Sequence, residues 1–262
     1  MADHIVLDIR DLRVDGGGDR PFTLGPIDLA LAPQEIVGVV GDSGAGKSLL
    51  VSTLTHTLRD PAAVTGGQIV FEDEDLLKAE PKLLQSIRGG RIGFIGSNPH
   101  GLLHPMLPVG RQVANVLRAH KPLSKAEARE QVLEMFTAVG IPDPLRRLDA
   151  YPHELSGGMA QRVVIAVGLI CDPDVVIADE PTAGLDVTIQ AQVLELIEST
   201  VRSRENRALL LATRDLGIVA RFCDRVVILD AGEVVEQRPT GELFRDPETD
   251  VSRALLAASR GF

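Results

Sequence analysis

Apolar and polar residues alternate along Ile5–Val14 (IVLDIRDLRV), the period of a half-buried strand. A glycine turn at Gly16–Asp19 and a second strand over Phe22–Leu31 follow, so the chain is expected to open with antiparallel β-structure. Val37–Val40 is continuously apolar or small, as a buried strand is, and Lys47–Leu58 reads as the helix behind it. Gly66-Gly67 leads to a short strand at Gln68–Phe71, and Arg91–Ile95 reads as another strand. From 109 to 140 the period becomes helical: Ser124 with Glu127 fits a capping box and Gly140 a helix C-cap. Then come a helix at Gly158–Ile170, a buried strand at Val175–Ala178 and an amphipathic helix over about 187–203. A strand at Ala208–Ala212, a short helix near 215–222, a strand at Val226–Leu229 and a last helix at about 250–258 complete the pattern. Strands alternating with helices imply an α/β fold with a mainly parallel sheet. The expected organisation is one domain over 1–262, with a core from 1–96 and 154–240, an inserted helical subdomain at 97–153 and a tail at 241–262.

The strand at Val37–Val40 runs into Gly41-Asp42-Ser43-Gly44-Ala45-Gly46-Lys47-Ser48, the spacing G-x-x-x-x-G-K-S of a phosphate-cradling loop. Glycines let successive N–H groups curl round an anion without Cβ clashes, and the following helix adds its positive dipole end. Lys47 is expected to reach the β- and γ-phosphates, Ser48 to hold Mg²⁺, and the run Gly41–Leu49 to form the nucleotide cradle, which makes the core a P-loop ATPase. Val175–Ala178 ends in Asp179-Glu180. Beside such a loop, Asp179 is expected to hold Mg²⁺ through water and Glu180 to orient or deprotonate the attacking water.

Composition narrows the class. A net charge of −10, aromatics at 3% and no Trp argue against a nucleic-acid surface. No uncharged apolar run reaches 18 residues, so no transmembrane helix is expected, and the charged N-terminus lacks a signal peptide's apolar segment. Cys171 and Cys223 lack metal or redox spacing and read as reduced packing thiols. His100 and His104 are four apart but sit in a Pro/Gly loop without a nearby carboxylate, a poor metal site. His153 is expected to fix the loop before the next motif by a hydrogen bond.

That motif is Leu155-Ser156-Gly157-Gly158-Met159-Ala160-Gln161-Arg162, a second anion-binding helix start. A chain with one nucleotide loop has use for it only if it serves another molecule's nucleotide. Here the sequence resembles the nucleotide-binding subunits of ATP-binding cassette (ABC) transporters, with their LSGGQ-type signature. Tyr151–Met159, Ala183–Ala191, Asp215–Ala220 and Ser252–Leu256 resemble in particular the peptide/nickel importer group. The resemblance implies ATP and Mg²⁺ as ligands, with Ser156, Gly157, Gly158, Gln161 and Asp186 at the partner's nucleotide across a head-to-tail pair. It also implies a homologous ATPase as partner in a heterodimer and two membrane permease subunits, with an extracytoplasmic binding protein reached through them. The chain would then sit peripherally on the cytoplasmic face of the membrane. A soluble role in translation or DNA repair fits less well, since such family members carry paired cassettes, long coiled coils or zinc motifs.

Three departures from the family pattern fall on the chain's own ATP site. Ser97, in Ile95-Gly96-Ser97-Asn98-Pro99, stands where the family has the glutamine that reaches Mg²⁺ and the attacking water. Arg214, in Thr213-Arg214-Asp215, replaces the histidine that senses the γ-phosphate; a guanidinium donates but has no acceptor. The adenine-stacking aromatic is missing at Asp15–Gly18, leaving Phe22 as substitute. Glu180, Lys47, Arg214 and Ser97 are therefore the candidate catalytic set, with two readings open. Either the site binds ATP, hydrolyses it poorly and lends its signature to a competent partner, or it works with rearranged helpers.

Overall fold

A computed structural model describes residues 5–18 and 22–259; Asp19 of the expected first turn and the last three residues of the tail lie outside them. In chain order the elements are β1 (Leu7–Asp15), β2 (Thr23–Leu31), β3 (Ile36–Val40), α1 (Lys47–Leu54), β4 (Ala63–Phe71), β5 (Glu74–Asp75), α2 (Pro81–Ile87) and β6 (Ile92–Ile95). Next come α3 (Pro99–Leu102), α4 (Val109–His120), α5 (Lys125–Ala138), α6 (Pro144–Arg147), a 3-10 turn (Pro152–Glu154), α7 (Gly157–Leu169), β7 (Val175–Asp179) and α8 (Val187–Arg202). Then β8 (Ala208–Thr213), α9 (Leu216–Phe222), β9 (Arg225–Asp230), β10 (Glu233–Pro239), α10 (Thr240–Arg245) and α11 (Asp250–Ser259) follow. The chain divides into two compact units: residues 1–81 with 204–262, and residues 82–203.

In the first unit β3 lies between β8 and β9, parallel to both, and β10 adds antiparallel to β9. Every residue of β3 is buried, as a strand covered on both faces must be. Glu35 grips Arg225 bidentately (2.7 and 3.0 Å) and Asp224 accepts the Ile36 N–H, so β3 is pinned to β9 at its start. A second sheet, antiparallel in the order β2-β1-β4-β5, matches the expected opening.

The strand expected at Gln68–Phe71 starts earlier, and Gly66-Gly67, expected just before it, lie inside β4. The register between β1 and β4 shifts opposite them, and Gly67 has φ +94°. A Cβ there would stand 2.5 Å from the Asp11 carbonyl, so position 67 sits in a bulge that only glycine fits. α1 stops at Leu54, four residues short of the expected end. Thr53 and Thr55 donate back to the Leu49 and Val51 carbonyls and His56 turns left-handed, which competes with further helix. β10 was not foreseen; it returns through a two-residue turn in which Ala231 and Gly232 both have positive φ, the hairpin geometry whose twist suits the strands.

The C-terminal elements are held by a buried carboxylate on β10. Glu236 accepts from the N–H groups of Glu248 and Thr249 (3.0 and 3.1 Å) and from the Thr249 hydroxyl. Burial pushes its pKa up, but these donors together with Ser252 outweigh burial and bring it to about 2.

In the second unit β6 and β7 pair in parallel, with Ile92–Ile95 opposite Val175–Ala178. The elements between residues 97 and 153 are helices and a 3-10 turn, while the compact unit that holds them runs over residues 82–203 and also takes in β6, β7, α7 and α8. α4 and α5 pack together and Phe136, Val113 and Leu117 are fully buried. The capping box is formed: the Glu127 N–H donates to Ser124 Oγ (3.2 Å) and the Ser124 N–H to Glu127 Oε2 (2.8 Å). Hydrogen bonding from the Ser124 side chain and from the Ser124 N–H holds the exposed Glu127 carboxyl below its ordinary pKa. Gly140 has φ +72° just beyond α5, as a helix-terminating glycine does. Both cysteines are buried free thiols, and burial lifts Cys223 to about 12. No described helix is long and apolar enough to cross a membrane.

Candidate nucleotide site

The phosphate loop leaves β3 at Gly41, whose missing Cβ is a packing requirement: one there would stand 2.1 Å from the Leu229 carbonyl. Gly44 and Gly46 have φ of +86° and +109°, conformations L side chains rarely adopt. Ala45 closes a turn onto the Asp42 carbonyl (3.2 Å) and accepts the Gly232 N–H (3.0 Å), tying the loop to the β9–β10 turn. Asp42 and Ser43 are exposed, Leu49 is half-buried on the first turn of α1, and Ser48 is exposed at its start. Lys47, only 8% exposed, folds its ammonium onto the carbonyls of Gly41 (2.5 Å) and Asp42 (3.0 Å). The N–H groups of Gly44 and Gly46 make no hydrogen bond within the described residues. Open donors at a helix start, a cation on the loop and a hydroxyl at its exit fit a phosphate group.

Phe22 lies beside this loop. A Cβ added at Gly46 would stand 3.2 Å from Phe22 Cζ, and one at Gly232 3.3 Å from the same atom. The ring therefore packs against glycine backbone.

In the second unit Asp179 ends β7 and Glu180 follows with φ +47°, left-handed and costly for a side chain of this kind. The turn is closed by the Ala183 N–H on the Glu180 carbonyl (3.1 Å). Gln161 holds that turn from behind. Fully buried, its Nε2 donates to the carbonyls of Pro181 and Gly96, both at 2.8 Å. One amide thus links the signature helix α7, the residue after Glu180 and the residue before Ser97. This corrects the expectation that Gln161 contacts a nucleotide: its side chain points inward and is occupied by two carbonyls. The signal for that role was weak, since a lone polar residue inside an apolar helix says only that a partner must exist.

The signature forms the start of α7, where Ser156 Oγ accepts the Met159 N–H (3.3 Å) as N-cap. Ser156 and Gly157 are exposed, and a Cβ on Gly157 would meet nothing within 4 Å. Gly158 approaches Leu185, 3.4 Å from its would-be Cβ. Asp186 is exposed and caps α8 by accepting the Ile189 N–H (3.0 Å). The loop before the signature is fixed otherwise than expected: His153 stacks on Tyr151 with ring centroids 5.7 Å apart, and Glu154 accepts the Tyr151 N–H (2.7 Å).

Ser97 is exposed one residue beyond Gly96. Asn98 does not stand in for a glutamine; its Oδ1 caps α3 by accepting the Gly101 N–H (3.1 Å). The segment after α3 is clamped by Gln112, which accepts the His104 N–H (2.8 Å) and donates to the carbonyls of His104 (2.9 Å) and Leu107 (2.8 Å). Back in the first unit, Arg214 is exposed at the end of β8. It is framed by Thr213, whose hydroxyl accepts the Asp215 N–H (3.1 Å), and by Asp215, which caps α9.

Comparison with known proteins agrees with this geometry. A family model described as ABC transporter matches residues 24–183. The chain is 42% identical over 255 residues to a probable peptide ABC transporter ATP-binding protein of Sinorhizobium fredii, covering 96% of this chain and 76% of that one. It is likewise 42% identical to the dipeptide transport ATP-binding protein DppD of Bacillus subtilis, covering 97% of this chain and 76% of the relative. Among solved structures, the ATP-binding cassette MJ0796, a dimer bound to ADP and Pi, superposes with a TM-score of 0.80 at 24% identity over 89% of this chain and 98% of that one, a likeness of fold. The cbiO1 subunit from Clostridium perfringens gives 0.74 at 26% identity over 92% of this chain and 91% of that one. With the phosphate loop, the strand-end carboxylates and the open signature helix in place, the chain belongs to the ABC transporter family, as an ABC-type ATPase.

Proposed function

We propose that this chain is the ATP-binding subunit of a peptide importer, working in a head-to-tail pair with a homologous but different ATPase. The supporting observation is the phosphate loop, with Lys47 held on it and donors left open at Gly44 and Gly46, in a chain whose relatives are named for peptide and dipeptide transport. Two permease subunits would carry the membrane spans and take up the motion, with an extracytoplasmic binding protein delivering peptide to them. The chain would sit peripherally on the cytoplasmic face.

In this reading the loop N–H groups and Lys47 bind the β- and γ-phosphates of ATP. Mg²⁺, held by the Ser48 hydroxyl and through water by Asp179, would neutralise charge on the phosphate oxygens. Glu180 accepts a proton from the water whose oxygen attacks the γ-phosphorus, and ADP leaves with the bridging oxygen's electron pair. Ser156, Gly157 and Gly158 offer a helix start to the partner's nucleotide, and Asp186 lies in the loop that meets the partner. Gln161 acts as a positioning residue for the turn at Glu180.

The chain's own site is proposed to be slow. Ser97 is too short to do what a glutamine does, and Arg214 stays cationic where a neutral imidazole would both donate and accept. Steady-state ATP turnover of the complex copurified with this chain, with and without Glu180→Gln, tests this. Turnover nearly unchanged by the substitution is expected, the partner's site doing the chemistry. Collapse of turnover would mean that this chain hydrolyses ATP itself, despite Ser97 and Arg214.

A further inference from the structure

A cavity of about 440 Å³ opens between α4 and α5, within the second unit, and its lining is cationic. Arg111 and Arg118 lie seven residues apart on one face of α4; Lys125 and Arg129 lie four apart on α5. The one carboxylate in the lining is Asp149, held bidentately by Arg129 at 3.0 and 2.9 Å. Arg118 donates through Nε to the Leu123 carbonyl (3.1 Å) and meets no carboxylate, and Arg111 and Lys125 have no hydrogen-bond or ion-pair partner among the described residues.

The wall carrying Asp149 is fixed. The N–H groups of Val109 and Gly110 donate to the carbonyls of Ala150 (2.8 Å) and Leu148 (3.0 Å), and a Cβ on Gly110 would stand 2.6 Å from Leu148 O. The site is therefore a shaped recess with four cations and one anion, in a chain whose net charge is −10. Gathering uncompensated like charges costs energy, since neighbouring cations repel and acidic residues are abundant elsewhere in the chain. An anionic occupant removes that cost.

We propose that this recess binds a phosphate-bearing ligand carrying at least two negative charges, either a soluble polyphosphate or the headgroups of an anionic membrane. Guanidinium forks match phosphate oxygens in pairs, and three cations without a carboxylate call for more charge than a single carboxylate brings. The volume suits a small polyanion. The site is separate from the phosphate loop and does not depend on which subunit hydrolyses ATP.

The test uses the full chain carrying Lys47→Ala, so that the phosphate loop does not compete. Inorganic pyrophosphate is titrated calorimetrically at low ionic strength into this chain and into the same chain with Arg111→Gln and Arg118→Gln. Sedimentation with vesicles of phosphatidylcholine containing phosphatidylglycerol is measured on the same pair, and again with Lys125→Gln alone. Pyrophosphate affinity falling at least tenfold in the double variant supports a soluble ligand. Vesicle binding that is lost in the double variant while pyrophosphate binds neither protein supports the headgroup. Absence of binding in both assays, or binding unchanged by the substitutions, overturns the proposal. All substituted side chains are at the surface except Lys47, and circular dichroism of each variant confirms that the compared chains are folded.

Discussion

The molecule builds two glycine-rich helix starts, and it builds them differently. At α1 the glycines adopt left-handed conformations, a lysine folds onto the loop's own carbonyls, and the helix has no side-chain cap. At α7 a serine caps the helix, Gly157 and Gly158 sit within regular helix, and no lysine is present in the motif. The first start is committed to one shape and brings its own cation. The second is an ordinary capped helix whose glycines serve access rather than backbone conformation, as the empty space around Gly157 shows. A grip with its own charge can hold a phosphate alone; one without it contributes only when another surface supplies the remaining contacts.

Removing the cation should have the largest effect. Lys47→Ala is expected to weaken ATP binding by about a hundredfold, the worth of a charge-assisted contact, while Ser156→Ala leaves the chain's own affinity within about twofold. Fluorescent-nucleotide titration of the isolated chain checks both, and equal losses would erase the distinction.

A carboxylate in neither start provides the stability scale. Glu236→Gln should cost about 2 kcal/mol at neutral pH by leaving its buried donors poorly matched. Because the folded pKa is about 2 against an ordinary 4.5, this stabilisation is full above 4.5 and is lost as pH falls towards 2. The gap between the denaturation midpoints of wild type and variant should therefore narrow from pH 7 to pH 3. A gap that widens would show the carboxylate to be a cost.

The cap itself comes next. Ser156→Ala should destabilise by about 1 kcal/mol in urea denaturation, with most of that recovered by Ser156→Asp, which also caps. The smallest effect sharpens the contrast of glycines. Gly44→Ala, at φ +86° in open space, should lower stability by about 1 kcal/mol through strain alone, whereas Gly157→Ala should be neutral or raise it by up to about 1 kcal/mol. Equal shifts would mean that the two starts do not differ in backbone demand.

Much of this architecture was legible because its signals are local. The phosphate loop, the capping box at Ser124 and Glu127 and the buried runs of β3 and β7 each declare themselves within a few residues. What stayed hidden depended on distant partners. Gly66-Gly67 looks like the lead-in to a strand until β1 is laid beside it, and only then is a bulge apparent. β10 follows a turn built on Ala231, a residue that gives no hint of positive φ. Gln161 was noticed for its place in a motif, but its two carbonyl partners lie 65 and 20 residues away. The cations of α4 and α5 were visible at helical spacing, yet only the packing of the two helices makes them face one recess.

The ammonium of Lys47 has a further consequence. Seated on the carbonyls of Gly41 and Asp42, it has backbone oxygens as partners of its charge. If Lys47 takes up phosphate as proposed, nucleotide entry would be an exchange of partners, and the affinity would measure the difference between oxygens of the backbone and oxygens of the ligand. A weakly charged ligand would offer little in exchange for those two bonds, so the same contacts that hold the lysine in place would also favour a strongly anionic ligand.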